Sequence, residues 1–298
     1  MTEDEAFKID KTLMVSRFDR AAKSYERYSE IQSIIGERLF ERLEFMSIEP
    51  RLVLDLGCGT GRLTEALQTR YKKAKVTGID LSKEMIAIAE ARRGWLSRHK
   101  YLCANAETLP FDDASIDLVF SNLMLPWFEN PDALLKECRR VLKPGGLILF
   151  SSLGPDTLKE MRAAWAAADD AVHVNRFMDM HDIGDSLTKN RYFGVVMDTE
   201  TITMTYESLS ELHADLKGTG TQNANAGRRK SLLPKGIYRA YQEAYAGQKL
   251  PDGHYPASFE VVYGHAWCPK ATDNMREKGP TVGRFNPGEL IDVKNSDS

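Results

Sequence analysis

The segment Val53–Gly61, VLDLGCGTG, limits this chain more than any other. Val53–Leu56 is a short apolar run with the length and composition of a strand buried on both faces. Gly57, Gly59 and Gly61 follow at once, and a helical pattern begins near Arg62. A strand that runs through glycines into a helix lets the backbone approach a ligand closely, because no Cβ stands in the way. Alone, the motif equally suits a tight turn in any α/β protein. Three later features favour a site. The next apolar run, VTGID, ends in Asp80, nineteen residues past Gly61. That is near the roughly 20-residue spacing at which an acid meets a ribose in dinucleotide folds. Asn105-Ala106-Glu107 follows a third run, and a fourth, IDLVFSNL, carries Asn122 at its polar end. Ligands of open α/β sheets bind beyond the carboxyl ends of the strands, where all four signals fall.

Runs at 52–56, 75–79, 100–103, 116–121 and 146–152 read as strands, with helical patterns at 62–70, 83–93 and 131–142 between them. Such alternation implies right-handed crossovers and a parallel sheet. Pro144-Gly145-Gly146 stops the last of these helices. Before the sheet, residues 12–47 read as helical, with Phe18, Ala21, Ala22, Tyr25 and Tyr28 recurring every three or four positions. Tyr25 and Tyr28 would share a face, either as core aromatics with wet tips or with hydroxyls reaching a ligand or lid. Beyond the sheet, 154–170 reads as a helix capped near Asp156 or Thr157. GVVMDTETITMTY (194–206) and SFEVVYGHAWC (258–268) alternate as antiparallel partners. The expected organisation is a helical lid at 12–47 and one domain at 51–268. Helical insertions at about 154–178 and 207–250 interrupt that domain, and a polar, mobile tail fills 270–298.

Composition removes several classes. The net charge of −3 gives no global basic field of the kind nucleic-acid binders carry. No uninterrupted apolar run reaches the ~18 residues of a membrane span. MTEDEAFKIDK has no apolar core, so it reads as neither signal nor transit peptide. Cys58, Cys103, Cys138 and Cys268 lie far apart without metal-type spacing, as reduced thiols of a cytoplasmic protein would. Cys58 inside the turn reads as a small side chain that fits, or as a nucleophile. His181, Asp182 and Asp185 suit helix caps or a metal, and the expectation is no metal.

DLGCGTG with its downstream acid, then NAETLPFDDASIDLVFSN and RVLKPGG, resembles a class I methyltransferase that uses S-adenosylmethionine. The glycine spacing differs from the G-x-G-x-x-G of dinucleotide folds. That resemblance implies a Rossmann-like α/β fold, a mostly parallel sheet with an antiparallel last strand. It also implies a cofactor site built from Asp55, Gly57, Gly59, Gly61, Asp80, Asn105, Ala106 and Asn122. Asp80 would bind the ribose hydroxyls, Asn105 and Ala106 would edge the adenine, and Asn122 would lie beside the methionine half. Many relatives carry Asp where Asn105 stands.

The second half is more specific. SNLMLPWFENPDALLKECRRVLKPGG, SSLGPDTLKEMRAAW, HVNRFMDMHDIGDSL, DLKGTGTQNANAGRRK and FEVVYGHAW resemble the malonyl-acyl-carrier-protein O-methyltransferases of biotin synthesis, from about residue 14 to 268. One departure is Pro126, where that family usually has Gln before the Trp. The resemblance implies methylation of the free malonyl carboxylate, which needs positioning more than acid–base help. A carboxylate with a pKa near ~4 is already ionised at pH 7. Carboxylate recognition suits an arginine fork, and Arg162 is the first candidate, or else a solvated helix arginine. Arg228, Arg229 and Lys230 would meet the acidic carrier protein, or form a solvated face. Three rivals remain: an arginine hydroxylase related to complex I assembly factors, a small-molecule methyltransferase of quinone or lipid synthesis, and a non-catalytic S-adenosylmethionine-binding module.

Overall fold

A computed structural model describes residues 3–270 of the chain; the predicted tail falls almost wholly outside them. Among the described residues seven strands form one sheet: β1 (Leu52–Leu56), β2 (Lys75–Asp80), β3 (Lys100–Cys103), β4 (Ile116–Ser121), β5 (Leu142–Leu153), β6 (Phe193–Tyr206) and β7 (Tyr255–Trp267). Their order is β3-β2-β1-β4-β5-β7-β6. The first five pair in parallel, and β7 runs antiparallel to both β5 and β6. The chain order reverses at β1, with β2 on one side and β4 on the other. In doubly wound sheets a ligand crevice opens at such a switch.

Successive strand residues face opposite layers. Val53, Leu118 and Phe120 pack on one face with Ile35 and Leu39 of α4 (Glu30–Glu41) and Leu67 of α5 (Arg62–Arg70). Leu54, Val119 and Phe150 pack on the other with Leu134 and Leu135 of α7 (Pro131–Val141) and Ile183 of α9 (Met180–Lys189). The helix α6 (Lys83–Arg92) covers β2 and β3, capped by the Ser82 hydroxyl, which accepts from Met85 N–H.

The N-terminal segment is less regular than its periodicity predicts. It breaks into α1 (Glu3–Ala6), α2 (Lys11–Ala21), the single turn α3 (Tyr25–Tyr28) and α4, followed by a 3₁₀ turn at Arg42–Phe45. Between α1 and α2 the chain is an extended strap. Asp10 N–H donates to Ala224 O, Ala226 N–H to Lys8 O, and Ile9 N–H to the Glu129 carboxylate.

The helix predicted for 154–170 is shortened to α8 (Lys159–Ala166), and neither Asp156 nor Thr157 caps it. The Thr157 hydroxyl is taken by the Glu260 backbone, donating to its carbonyl and accepting from its N–H. Leu158 then turns through a left-handed φ of 56°, its N–H donating to Ser258 O. The buried Glu160 carboxylate accepts from the Ser258 N–H and hydroxyl, fastening α8 to β7. Trp165 of α8 is stacked between His173, 3.8 Å away, and Tyr241, 3.9 Å away. Tyr241 belongs to α11 (Lys235–Ala246), which with α10 (Leu209–Gly218) fills the insertion between β6 and β7.

Candidate cofactor and acceptor site

The site begins at the end of β1. Gly57, Gly59 and Gly61 have φ of 79°, 53° and 85°, a region that side chains with a Cβ rarely enter. Gly57 and Cys58 N–H both donate to Ile79 O, tying the turn to β2. Gly57 and Gly59 face a cavity along the strand ends. Gly61 does not, and it is needed because a Cβ there would overlap the Tyr101 ring and hydroxyl.

Asp80 also faces the cavity, and its carboxylate accepts from Gly59 N–H at 3.0 Å and Ser82 N–H at 2.8 Å. It therefore shapes the glycine turn while remaining on the ligand side. Asp55 stands behind the turn, 1% exposed and away from the cavity lining, accepting from the Thr64 hydroxyl at 2.5 Å. Burial pushes the Asp55 carboxyl up to about 7, the Thr64 hydrogen bond opposes this and the Asp80 charge adds to it. Burial also raises Asp80, against its backbone hydrogen bonds, and neither acid has an ion-pair partner among the described residues. An acid on the cavity wall without a counter-ion, as Asp80 is, suits a ligand bearing positive charge, as S-adenosylmethionine does at its sulfonium and its ammonium.

Asn105, Ala106 and Asn122 line the same cavity. The Asn105 side chain accepts from Glu107 N–H, while Asn122 is held by Ser151 Oγ, which donates to its Oδ1 at 2.7 Å. Leu123 and Leu158, both with left-handed φ, form part of the wall. From the N-terminal segment come Lys11, Phe18, Tyr25 and Gln32. Phe18 meets Trp127 edge to face at 5.0 Å, and Lys11 pairs with Glu107 at 2.6 Å, so this segment closes the strand-end crevice. Ser82 Oγ donates to Asp19 of α2 and draws the same segment down on α6.

A family profile described as a methyltransferase domain matches residues 54–150. A malonyl-[acyl-carrier protein] O-methyltransferase of Halorhodospira halophila is 41% identical over 282 residues, covering 93% of this chain and 96% of the relative. Another, of a Methylovorus species, is 42% identical over 278 residues, covering 91% and 93%. The chain belongs to the malonyl-[acyl-carrier protein] O-methyltransferase family. Solved structures agree on the fold: the YcgJ protein from Bacillus subtilis has a TM-score of 0.56 at 19% identity, covering 78% of this chain and 98% of that one. A methyltransferase described as putative, from Bacillus halodurans, gives 0.53 at 18% identity, covering 78% and 99%.

In this member of the family a second, wider groove adjoins the first, with Pro126, Phe128, Asn175 and Phe177 lining both. Pro126, the departure from the family pattern, therefore stands where the two meet. Several predicted residues lie elsewhere. Tyr28 is packed against Gly218, where a Cβ would overlap its ring, and it does not face the cavity. Arg162 borders the second groove, and its guanidinium donates to Pro155 O at 2.8 Å and Thr157 O at 2.9 Å. It thus closes the turn before α8 and does not point a free fork at the strand-end cavity. Arg228 donates to Asp10 and to Asn225 O, and Arg229 donates to Asp169, so only Lys230 of that cluster is exposed.

Gln32, Ser82, Phe177 and Thr221 line the strand-end cavity and are not singled out by sequence. Ser82 alone carries a signal, as a cap residue two positions past Asp80, at the start of the next helix. His181 and Asp179 form a helix cap, Asp179 accepting from the His181 N–H at 2.8 Å.

Asp55 makes a prediction about stability. With its folded pKa above the ordinary 3.8, its stabilising contribution is complete below pH ~4 and disappears as pH rises through about 7. Without ligand, Asp55→Asn should therefore gain stability relative to wild type between pH 5 and 8, by about 2 kcal/mol. Urea unfolding at both pH values checks this, and parallel pH profiles for the two proteins would contradict it.

Proposed function

We propose that this protein methylates the free carboxylate of a malonyl group held as a thioester on acyl-carrier protein, and that it does so in the cytoplasm. The product is the methyl ester that primes pimeloyl synthesis for biotin. The observation that carries this reading is identity above 40% with malonyl-[acyl-carrier protein] O-methyltransferases over more than nine-tenths of the chain. Among the described residues no helix is long and apolar enough to cross a membrane.

S-adenosylmethionine supplies an electrophilic methyl on a sulfonium. The Gly57–Gly59 backbone would admit it closely, Asp80 would accept from its ribose, and Asn105 with Ala106 would edge the adenine. Asn122 would flank the methionine half, held in place by Ser151. The acceptor would enter through the second groove and pass Pro126, Phe128, Asn175 and Phe177 to reach the donor. An ionised carboxylate needs no base, so the chain's work is alignment and removal of water. Phe18, Trp127 and Phe128 give the junction apolar walls.

Tyr25 is the proposed hydrogen-bond donor to the acceptor. Burial pushes its phenol pKa upward, with the charges of Asp80 and Glu26 adding to the shift, so it stays protonated. A neutral O–H on one carboxylate oxygen leaves the other free to attack, whereas a tight arginine pair would weaken the nucleophile.

For the carrier, the exposed run Lys230–Gly236 replaces the arginines. It follows directly on Arg229, whose partner Asp169 lines the second groove, and it presents Lys230, Lys235 and the 96%-exposed Leu232. Cations around an apolar side chain fit an acidic carrier.

Two measurements test this. Methyl label from S-adenosylmethionine should appear on malonyl-carrier protein but not on acetyl-carrier protein, and mild base should release it as methanol. No label on the malonyl substrate would overturn the assignment. Reversal of Lys230 and Lys235 to Glu should raise KM for malonyl-carrier protein about tenfold and leave malonyl-CoA within twofold. Equal effects on both would remove the docking surface.

A further inference from the structure

Gln32 lines the donor cavity, yet its side-chain Oε1 is buried without a hydrogen-bond partner. Buried polar atoms are almost always paired, so an unpaired one on a ligand cavity marks a contact that the ligand completes. Its location says which part of the ligand. The Asn122 side chain donates to Gln32 O at 3.1 Å, and one turn further on Gly36 lies so close to Asn122 and Leu63 that a Cβ would crowd both. The first turn of α4 is thereby held against the carboxyl end of β4. Asp80 and Asn105 lie on the far side of β1, beyond β2 and β3. The ligand's ribose and base belong at that end, and its amino-acid half belongs beside Gln32.

We propose that Gln32 Oε1 accepts a hydrogen bond from the α-ammonium of the methyl donor's amino-acid half. This rests on the cavity holding S-adenosylmethionine, and it assigns recognition of the ammonium to a helix outside the sheet. A helix packed on the sheet face then also reads whether the amino-acid half is present. A carboxamide oxygen offers a partial negative charge to the cation. Were the amide reversed, its N–H₂ would face the ligand's α-carboxylate instead.

Calorimetric titration of the full-length protein separates these cases, with two ligands that share adenosine and a thioether. S-adenosylhomocysteine carries the amino acid and 5′-methylthioadenosine lacks it. Gln32→Leu should weaken S-adenosylhomocysteine about tenfold or more and leave methylthioadenosine within twofold. Gln32→Glu should hold or tighten S-adenosylhomocysteine, because a carboxylate still accepts from the ammonium. Equal weakening of both ligands by Gln32→Leu, or no change in either, would overturn the proposal. So would loss of S-adenosylhomocysteine in Gln32→Glu matching that in Gln32→Leu. Failure of wild type to bind either ligand would instead overturn the cavity assignment on which the proposal rests.

Discussion

The left-handed turn after β1 is the constraint on which the rest of the site depends. Its φ values disfavour side chains with a Cβ at three positions, and two hydrogen bonds to Ile79 O and one to Asp80 hold its shape. The acid that closes the turn from β2 also lines the cavity, so the geometry of the loop and the charge of the cavity cannot vary separately. Asp55 behind the turn adds a second buried carboxyl, raised by the same desolvation. A cationic ligand in the cavity would offset the Asp80 charge, which links the turn's electrostatics to the chemistry proposed for it.

A sheet edge alone would leave this charge in water. The chain covers it with segments from both ends of the sequence. Strap residues Lys8 and Asp10 bond to the 224–226 backbone, and α2 reaches α6 through Asp19 and Ser82. The insertion between β6 and β7 completes the cover: Gly218 makes room for Tyr28, and Ser24 Oγ donates to Gly218 O. The cover narrows the mouth beside Asp80 and Asn105 and leaves the groove beside Asn175 and Phe177 as the broader opening.

The sheet and most of the strand-end residues that line the cavity were legible because each signal is local. An apolar run ending in glycines, an acid or an amide is a strand end whatever surrounds it. The reversed strand β7 and its neighbour β6 showed in their alternation. The second groove and the surface around it depend on distant contacts that no local pattern carries. Thr157 could not act as a cap because Glu260, 103 positions on, occupies its hydroxyl. Arg228 and Arg229 looked like a surface run until Asp10 and Asp169 met them. Tyr25 and Tyr28 have helical spacing, but the helix breaks on either side of them, and only Tyr25 turns to the cavity. Gln32 reads as one more polar position on an amphipathic helix; its unpaired oxygen exists only in three dimensions.

The most direct test of this account is amide hydrogen exchange with and without S-adenosylhomocysteine. Slow exchange reports local opening, so a ligand held beneath a strap should protect both the site and its cover. The account predicts new protection at 57–61, 80–82 and 104–107 together with the strap at 8–11, although the strap is remote from the strand ends in sequence. Protection at the strand ends with an unchanged strap would contradict closure by the N-terminal segment. Protection confined to other parts of the chain would contradict the site itself.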